Sequence, residues 1–432
     1  MAGTEWYDEF VDRDAEPRDG DLLALFSFTP DEDTSTLEAL GRIASESSVG
    51  TWTTLAQMPD RVPDLKAMCY DWDEEAGTCK VRYPVELWEA ANVPQILSGV
   101  AGNIFGMKAV ARLRLLDLRI PQEIREAHPG PHLGIEGIRD ELGIPERPPT
   151  ATVPKPKLGW TPEQHAERGY EAWVGGVDLI KDDENLTSQS FNNFAKRVEH
   201  LARQRERAEA ETGETKSALI NVTAETNEAI ERARLVAEHG FEYAMVDVVT
   251  TGFAGLQTIR EATGDLDLAI HAHRAMHAMF TKIEDHGMAM YCLAKLLRLV
   301  GVDQLHTGTV IGKLVSPENE VVANMDQLRE AHTDPRDNLL GQDWGSIKPA
   351  FPVASGGLHP GIVPDMIDLY GPDVVIQLGG GIHGHPDGST AGAKALRDVI
   401  DGTMRGDSLD AITQDSKEAA KAIETWGTEQ PK

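Results

Sequence analysis

VDLIKDDEN, residues 177–185, sets an apolar run of branched residues directly before Lys181, Asp182, Asp183 and Glu184. Its first half reads as a short buried strand. Alternation along a strand puts Lys181 and Asp183 on the face of Leu179, and Glu184 falls at the strand exit, so three charged groups can converge on one point. The plain alternative is a solvated charged turn, and the surrounding sequence has to choose between the two.

Seven further segments share this form, an apolar stretch that ends in polar residues or glycine. They are ATVPKPK (151–157), ALINVT (218–223), YAMVDVV (243–249), LAIHAHR (268–274), QLHTG (304–308), FPVASGG (351–357) and VVIQLGGG (374–381). Helical patterns lie between them. In TPEQHAERGYEAWVGG, Thr161 reads as N-cap, Pro162 as the first helical residue and Gln164 as the capping-box partner. Eight strands alternating with helices predict an α/β fold whose C-terminal part, 131–432, is a (β/α)8 TIM barrel with a C-terminal helical extension. An open doubly wound sheet is the alternative. Residues 1–130 lack this rhythm and read as a separate N-terminal α+β domain, and the proline-rich stretch from His128 to Pro149 reads as a connection.

The chain has 432 residues and a formal charge of −30. That balance argues against nucleic acid as a partner. Carboxylates spread along the whole chain repel one another in dilute buffer, and molar salt would screen them, so a salt-rich cytoplasm is expected. The N-terminus, MAGTEWYDEFVDRD, is acidic where a signal peptide is basic and then apolar, and no run of about 18 apolar residues offers a membrane span. Cys69, Cys79 and Cys292 have no metal-type spacing and read as reduced structural thiols.

Chemistry in such a barrel sits where strands end. Besides Lys181, Asp183 and Glu184, the strand ends carry Lys155 and Lys157, then His271, His273 and Arg274, then His306, then Ser355, Gly356 and Gly357, and lastly Gly379, Gly380 and Gly381. Two carboxylates suit a hard cation such as Mg2+. A protonated lysine would repel that cation, but a buried neutral amine can add CO2 and become an anionic carbamate ligand. The glycines after the last two strands suit a phosphate site, where backbone N–H groups close on an anion. TGTVIGKL (307–314) has glycines one residue too close for a nucleotide-triphosphate loop and no Ser or Thr after Lys313. It reads instead as a flexible loop that carries Lys313, with Gly308 and Gly312 as hinges. A His pair with a modified lysine also occurs in amidohydrolase-like barrels, but there the pair lies on the first strand, and here it lies on the fifth.

These motifs together resemble the large subunit of ribulose-1,5-bisphosphate carboxylase/oxygenase (Rubisco). The resemblance spans nearly the whole chain through ESSVGTWTT (46–54), GNIFGMKA (102–109), PKPKLG (154–159), GGVDLIKDDEN (175–185), HAHRAMHA (271–278), HTGTVIGKL (306–314), ASGGLHPG (354–361) and QLGGGIHGHPDG (377–388). TATVPKPKLGW and GGLHPGIVPDMI look most like the archaeal form III branch, implicated in disposing of nucleotide-derived (AMP) ribulose bisphosphate, and with the acidic composition they suggest a haloarchaeal source.

The resemblance implies a carbon–carbon lyase that joins CO2, or O2 in a side reaction, to ribulose-1,5-bisphosphate. It implies Mg2+ held by carbamylated Lys181, Asp183 and Glu184. It assigns proton transfers to the carbamate, Lys155 and Lys157, hydration to His273 and stabilisation of the new carboxylate to Lys313. One phosphate would meet Arg274 and His306. The other would meet Gly357, Gly379 and Gly380, with Ser355 and Gln377 nearby. Glu46, Thr51, Trp52 and Asn103 would complete the site of a neighbouring subunit, which implies a homodimer or a ring of dimers, with no small subunit expected. Many family members have Thr where this chain has Val153, which leaves open whether Thr152 replaces that hydroxyl. Two rivals stand beside this reading: a Rubisco-like enolase or isomerase of a sulfur-containing sugar phosphate, and a non-catalytic sugar-phosphate-binding protein.

Overall fold

The computed structural model describes residues 7–51, 55–311, 318–336 and 338–430. The chain divides into two compact units. The first comprises Met1–Pro129, Met276–Val300 and Glu330–Ile347, and the second comprises Gly130–Ala275, Gly301–Arg329 and Lys348–Lys432.

In the first unit a sheet runs in the order Gly287–Met288, Val110–Arg119, Leu22–Pro30, Thr78–Tyr83, Met68–Asp73. Its long strands pair antiparallel, and the short edge strand Gly287–Met288 joins Val110–Arg119 in parallel. The segment 276–300 belongs here for a polar reason. Lys295, fully buried on the helix Met290–Val300, donates from Nζ to Asp117 Oδ2 and to the Leu118 carbonyl, each at 2.8 Å. A buried charge without such a partner would be costly, so the pair ties helix to sheet. All three cysteines are free and buried.

The second unit is a closed barrel of eight parallel strands: Thr150–Thr152, Leu179–Lys181, Ser217–Asn221, Tyr243–Asp247, Ala269–His273, Gln304–His306, Phe351–Ser355 and Val375–Leu378. The eighth closes on the first, with Leu378 paired to Thr152. Every expected strand is present but shorter than its apolar segment, in most cases because the polar end leaves the sheet. The helix Pro162–Val174 begins with the expected capping box between Thr161 and Gln164.

The stretch from His128 to Pro149 is more than a connection. It contains the helix Gly134–Leu142, whose Ile135, Ile138 and Leu142 pack with Leu179, Leu219, Met245, Phe351 and Val375 to plug one end of the barrel. Asp303, fully buried, accepts from the backbone N–H groups of Leu133 at 2.7 Å and Gly134 at 2.9 Å, so its carboxylate holds the start of that helix, and from Ile270 at 2.8 Å. Among the described residues no helix is long and apolar enough to cross a membrane.

Candidate active site

The strand ends opposite the plug enclose a cavity of about 740 Å³. Lys155, Lys157, Lys181, Asp183, Glu184, His273, His306, Ser355, Gly357, Gln377, Gly379 and Gly380 all line it, so twelve of the expected site residues converge there.

The four charges of 181–184 sort by side. Lys181 and Asp183 turn inward to the cavity. Asp182 turns away: its Oδ2 accepts from Arg197 Nε at 3.0 Å and from the Asn221 backbone N–H at 3.0 Å, and His165 Nε2 lies 3.0 Å from its Oδ1. Burial alone would raise the Asp182 pKa, but Arg197 and then His165 hold it down at about 2. A buried, paired Asp182 thus pins the strand end that carries its neighbours.

Lys181 is 1% exposed. Its Nζ donates to the Asp182 carbonyl at 2.8 Å. Burial lowers its pKa below the ordinary lysine value, against the pull of Glu184, Asp183, Asp247 and Asp182. Asp183 faces two amines, Lys155 Nζ at 3.5 Å from Oδ2 and Lys157 Nζ at 4.0 Å from Oδ1. His273 Nε2 lies 3.7 Å from Glu184 Oε2, and His273 Nδ1 lies 3.1 Å from Asp247 Oδ1 and 3.2 Å from the Ala275 backbone nitrogen. Asp247 was not singled out in the sequence, although it ends the fourth strand in register with His273 on the fifth.

Across the cavity Gly357 has φ +70°, a backbone conformation that L side chains rarely adopt. Gln377 is buried, and its Oε1 makes no hydrogen bond among the described residues. Val153 lines the cavity, whereas Thr152 is buried with Oγ1 3.2 Å from His383 Nε2. Thr152 therefore does not supply the missing hydroxyl. His306 has both ring nitrogens engaged, Nδ1 with Ser355 Oγ at 2.8 Å and Nε2 with His271 Nε2 at 3.1 Å. A ligand reaches His306 only by exchanging one of these bonds.

Arg274 follows the fifth strand but is not part of the cavity lining among the described residues; burial brings its pKa down to about 10. Trp52 and Lys313 lie outside the described residues. In the first unit Asn103 Nδ2 donates to Glu46 Oε1 at 3.5 Å, both side chains being exposed, and Thr51 is half-buried nearby in sequence. Sequence reasoning missed the C-terminal wall, where Thr425, Trp426, Glu429 and Gln430 line the cavity and His359 Nε2 donates to the Glu429 carbonyl at 3.0 Å. Only the tertiary fold returns that segment to the strand ends.

The chain as a whole is similar to known proteins. Residues 134–426 match the family model of the ribulose bisphosphate carboxylase large chain, catalytic domain, and residues 9–124 match that of its N-terminal domain. The chain is 50% identical over 430 residues to a ribulose bisphosphate carboxylase of Pyrococcus abyssi, covering 99% of this chain and 98% of that one. It is 46% identical over 429 residues to one of Methanocaldococcus jannaschii, covering 97% of this chain and all of that one. Among solved structures it resembles a dimeric archaeal Rubisco from Hyperthermus butylicus, with TM-score 0.94, 46% identity, and coverage of 98% and 99% of the two chains. It also resembles an octameric Rubisco from Pyrococcus horikoshii, with TM-score 0.92, 48% identity, and coverage of 99% and 98%. With both domain models matched in order along its length, the chain belongs to the ribulose bisphosphate carboxylase large-chain family.

Proposed function

We propose that this chain carboxylates ribulose-1,5-bisphosphate to two molecules of 3-phosphoglycerate through a Mg2+ ion held by Asp183, Glu184 and a carbamate on Lys181. The observation that carries the reading is the buried Lys181, its amine disfavoured as an ammonium and set in one cavity with two carboxylates. A neutral amine can add CO2 with loss of one proton. Among the described residues no three His, Cys, Asp or Glu side chains converge as a metal cluster, so a third anionic oxygen on Lys181 is what would complete the set. Mg2+ bound there supplies positive charge for a substrate oxyanion.

Lys181, once carbamylated, takes the proton from C3 of the sugar. Lys155, beside Asp183, handles protons near C2 and protonates the last carbanion, with Lys157 assisting. His273, oriented by Asp247, accepts a proton from the hydrating water. Gly357, Gly379 and Gly380 offer backbone N–H groups to one phosphate, with Gln377 and Ser355 beside them. Arg274 serves the other, which His306 can meet only by giving up one of its two ring hydrogen bonds, and Lys313 serves the new carboxylate.

Glu46, Thr51, Trp52 and Asn103 complete the site of a second copy. The first unit also exposes Met276, Met279, Phe280 and Ile283, an apolar run that suits burial between subunits. A homodimer, or a ring of dimers, follows. The acidic balance and the form III resemblance support a salt-rich cytoplasm and a role in nucleotide disposal, with O2 as the competing gas.

The test is incubation with Mg2+ and bicarbonate in molar KCl, addition of ribulose-1,5-bisphosphate, and counting of labelled CO2 in acid-stable product. Incorporation is expected. Folded, metal-loaded protein that incorporates nothing would overturn the reading in favour of the enolase.

A further inference from the structure

Behind Ser355 runs a buried chain of four polar side chains, two of which, Gln304 and His271, have no part in the scheme above. Gln304 Oε1 lies 2.7 Å from His271 Nδ1, His271 Nε2 lies 3.1 Å from His306 Nε2, and His306 Nδ1 lies 2.8 Å from Ser355 Oγ. Gln304 and His271 are fully buried and His306 is 4% exposed, while Ser355 opens on the cavity. Burial lowers both imidazole pKa values well below the ordinary range, so each ring carries one proton. Two neutral rings that meet Nε2 to Nε2 have a single proton between them. The chain therefore has two possible directions, and either imidazole and the serine hydroxyl could adopt both.

The amide is the member whose two ends cannot exchange roles, one being an acceptor and the other a donor. Its oxygen faces His271, and its Nε2 makes no hydrogen bond among the described residues. We propose that Gln304 is a positioning residue that fixes the direction of this chain and thereby makes Ser355 an acceptor toward the cavity. His271 donates from Nδ1 to Gln304, His306 donates from Nε2 to His271, and the Ser355 hydroxyl donates to His306 Nδ1. Only lone pairs of Ser355 Oγ remain for a ligand. At that point the cavity takes a hydroxyl of the sugar bisphosphate and disfavours a phosphate oxygen, which is itself an acceptor. This rests on the proposed carboxylase reading for the identity of the ligand, but not for the direction of the chain.

The experiment pairs 15N NMR of histidine-labelled protein with substrate kinetics. In the wild type, His271 should carry its proton on Nδ1 and His306 on Nε2. Ser355→Ala should keep that pattern, because the amide sets it. Gln304→Leu, which removes the acceptor, should move the His306 proton to Nδ1. It should also raise KM for ribulose-1,5-bisphosphate roughly 3- to 10-fold, the worth of one hydrogen bond, while kcat stays within about twofold. In a Ser355→Ala background Gln304→Leu should add no further KM change. Overturning results are a wild-type His306 protonated on Nδ1, a reversal in Ser355→Ala, or KM effects that multiply in the double variant. If Gln304→Leu fails to fold, the wild-type and Ser355→Ala spectra still decide. Absence of carboxylation would fault the function and leave the tautomer result standing.

Discussion

Gly379 and Lys155 share a space that admits only one side chain: a Cβ on Gly379 would stand 2.9 Å from Lys155 Cε. The three atoms nearest to such a Cβ all belong to Lys155, so the steric conflict is with the lysine. Lys155 is half-exposed and can swing aside at little cost to the fold, but it would then leave Asp183 Oδ2, 3.5 Å from its Nζ. Gly379→Ala should lower kcat by about tenfold or more, the scale of a misplaced proton donor, with melting nearly unchanged. Steady-state kinetics beside a thermal melt checks this; loss of melting temperature with kcat intact would contradict it.

Arg197 is the partner that makes a buried Asp182 tolerable. Arg197→Met leaves that carboxylate with only His165 and the Asn221 backbone N–H and should cost about 3–5 kcal/mol of stability. The pH dependence has a definite sign. Asp182 has a folded pKa of about 2, depressed below the ordinary carboxylate value, so its contribution is complete above roughly pH 4 and is lost as pH falls through about 2. Denaturation followed from pH 7 to pH 2 should show this contribution constant in the wild type down to about pH 4 and lost below it, with a smaller loss in the variant.

If Glu46 of one subunit serves the Lys181 site of another, two inactive chains can repair each other. Glu46→Gln and Lys181→Ala, each inactive alone, should recover about a quarter of wild-type activity when coexpressed. Half of randomly paired dimers are mixed, and each mixed dimer holds one intact site. Strictly additive, near-zero activity in verified mixed dimers would place each site within one chain.

The barrel was legible because apolar strands ending in polar residues recur eight times, and that signal is local. The site was legible for the same reason, since in this architecture strand ends converge. What stayed hidden depends on contacts between distant segments. Alternation separates Asp182 from Lys181 and Asp183 in KDDE, but its partner Arg197, from the next helix, is not visible in the sequence. The helix Gly134–Leu142 was masked by flanking prolines. Segment 276–300 follows a barrel strand in sequence but packs with the other unit through Lys295 and Asp117. Gln304 reads as an ordinary strand residue until His271 is found 2.7 Å away.

Lys181 is central to the proposed chemistry, and its carbamate can be observed directly. Protein equilibrated with 13C-bicarbonate and Mg2+ should give a 13C carbamate resonance in the wild type that is strengthened by Mg2+ and missing from folded Lys181→Ala. A carbamate signal that persists in the variant, or none in folded, metal-loaded wild type, would contradict the assignment of Lys181 as the activated ligand.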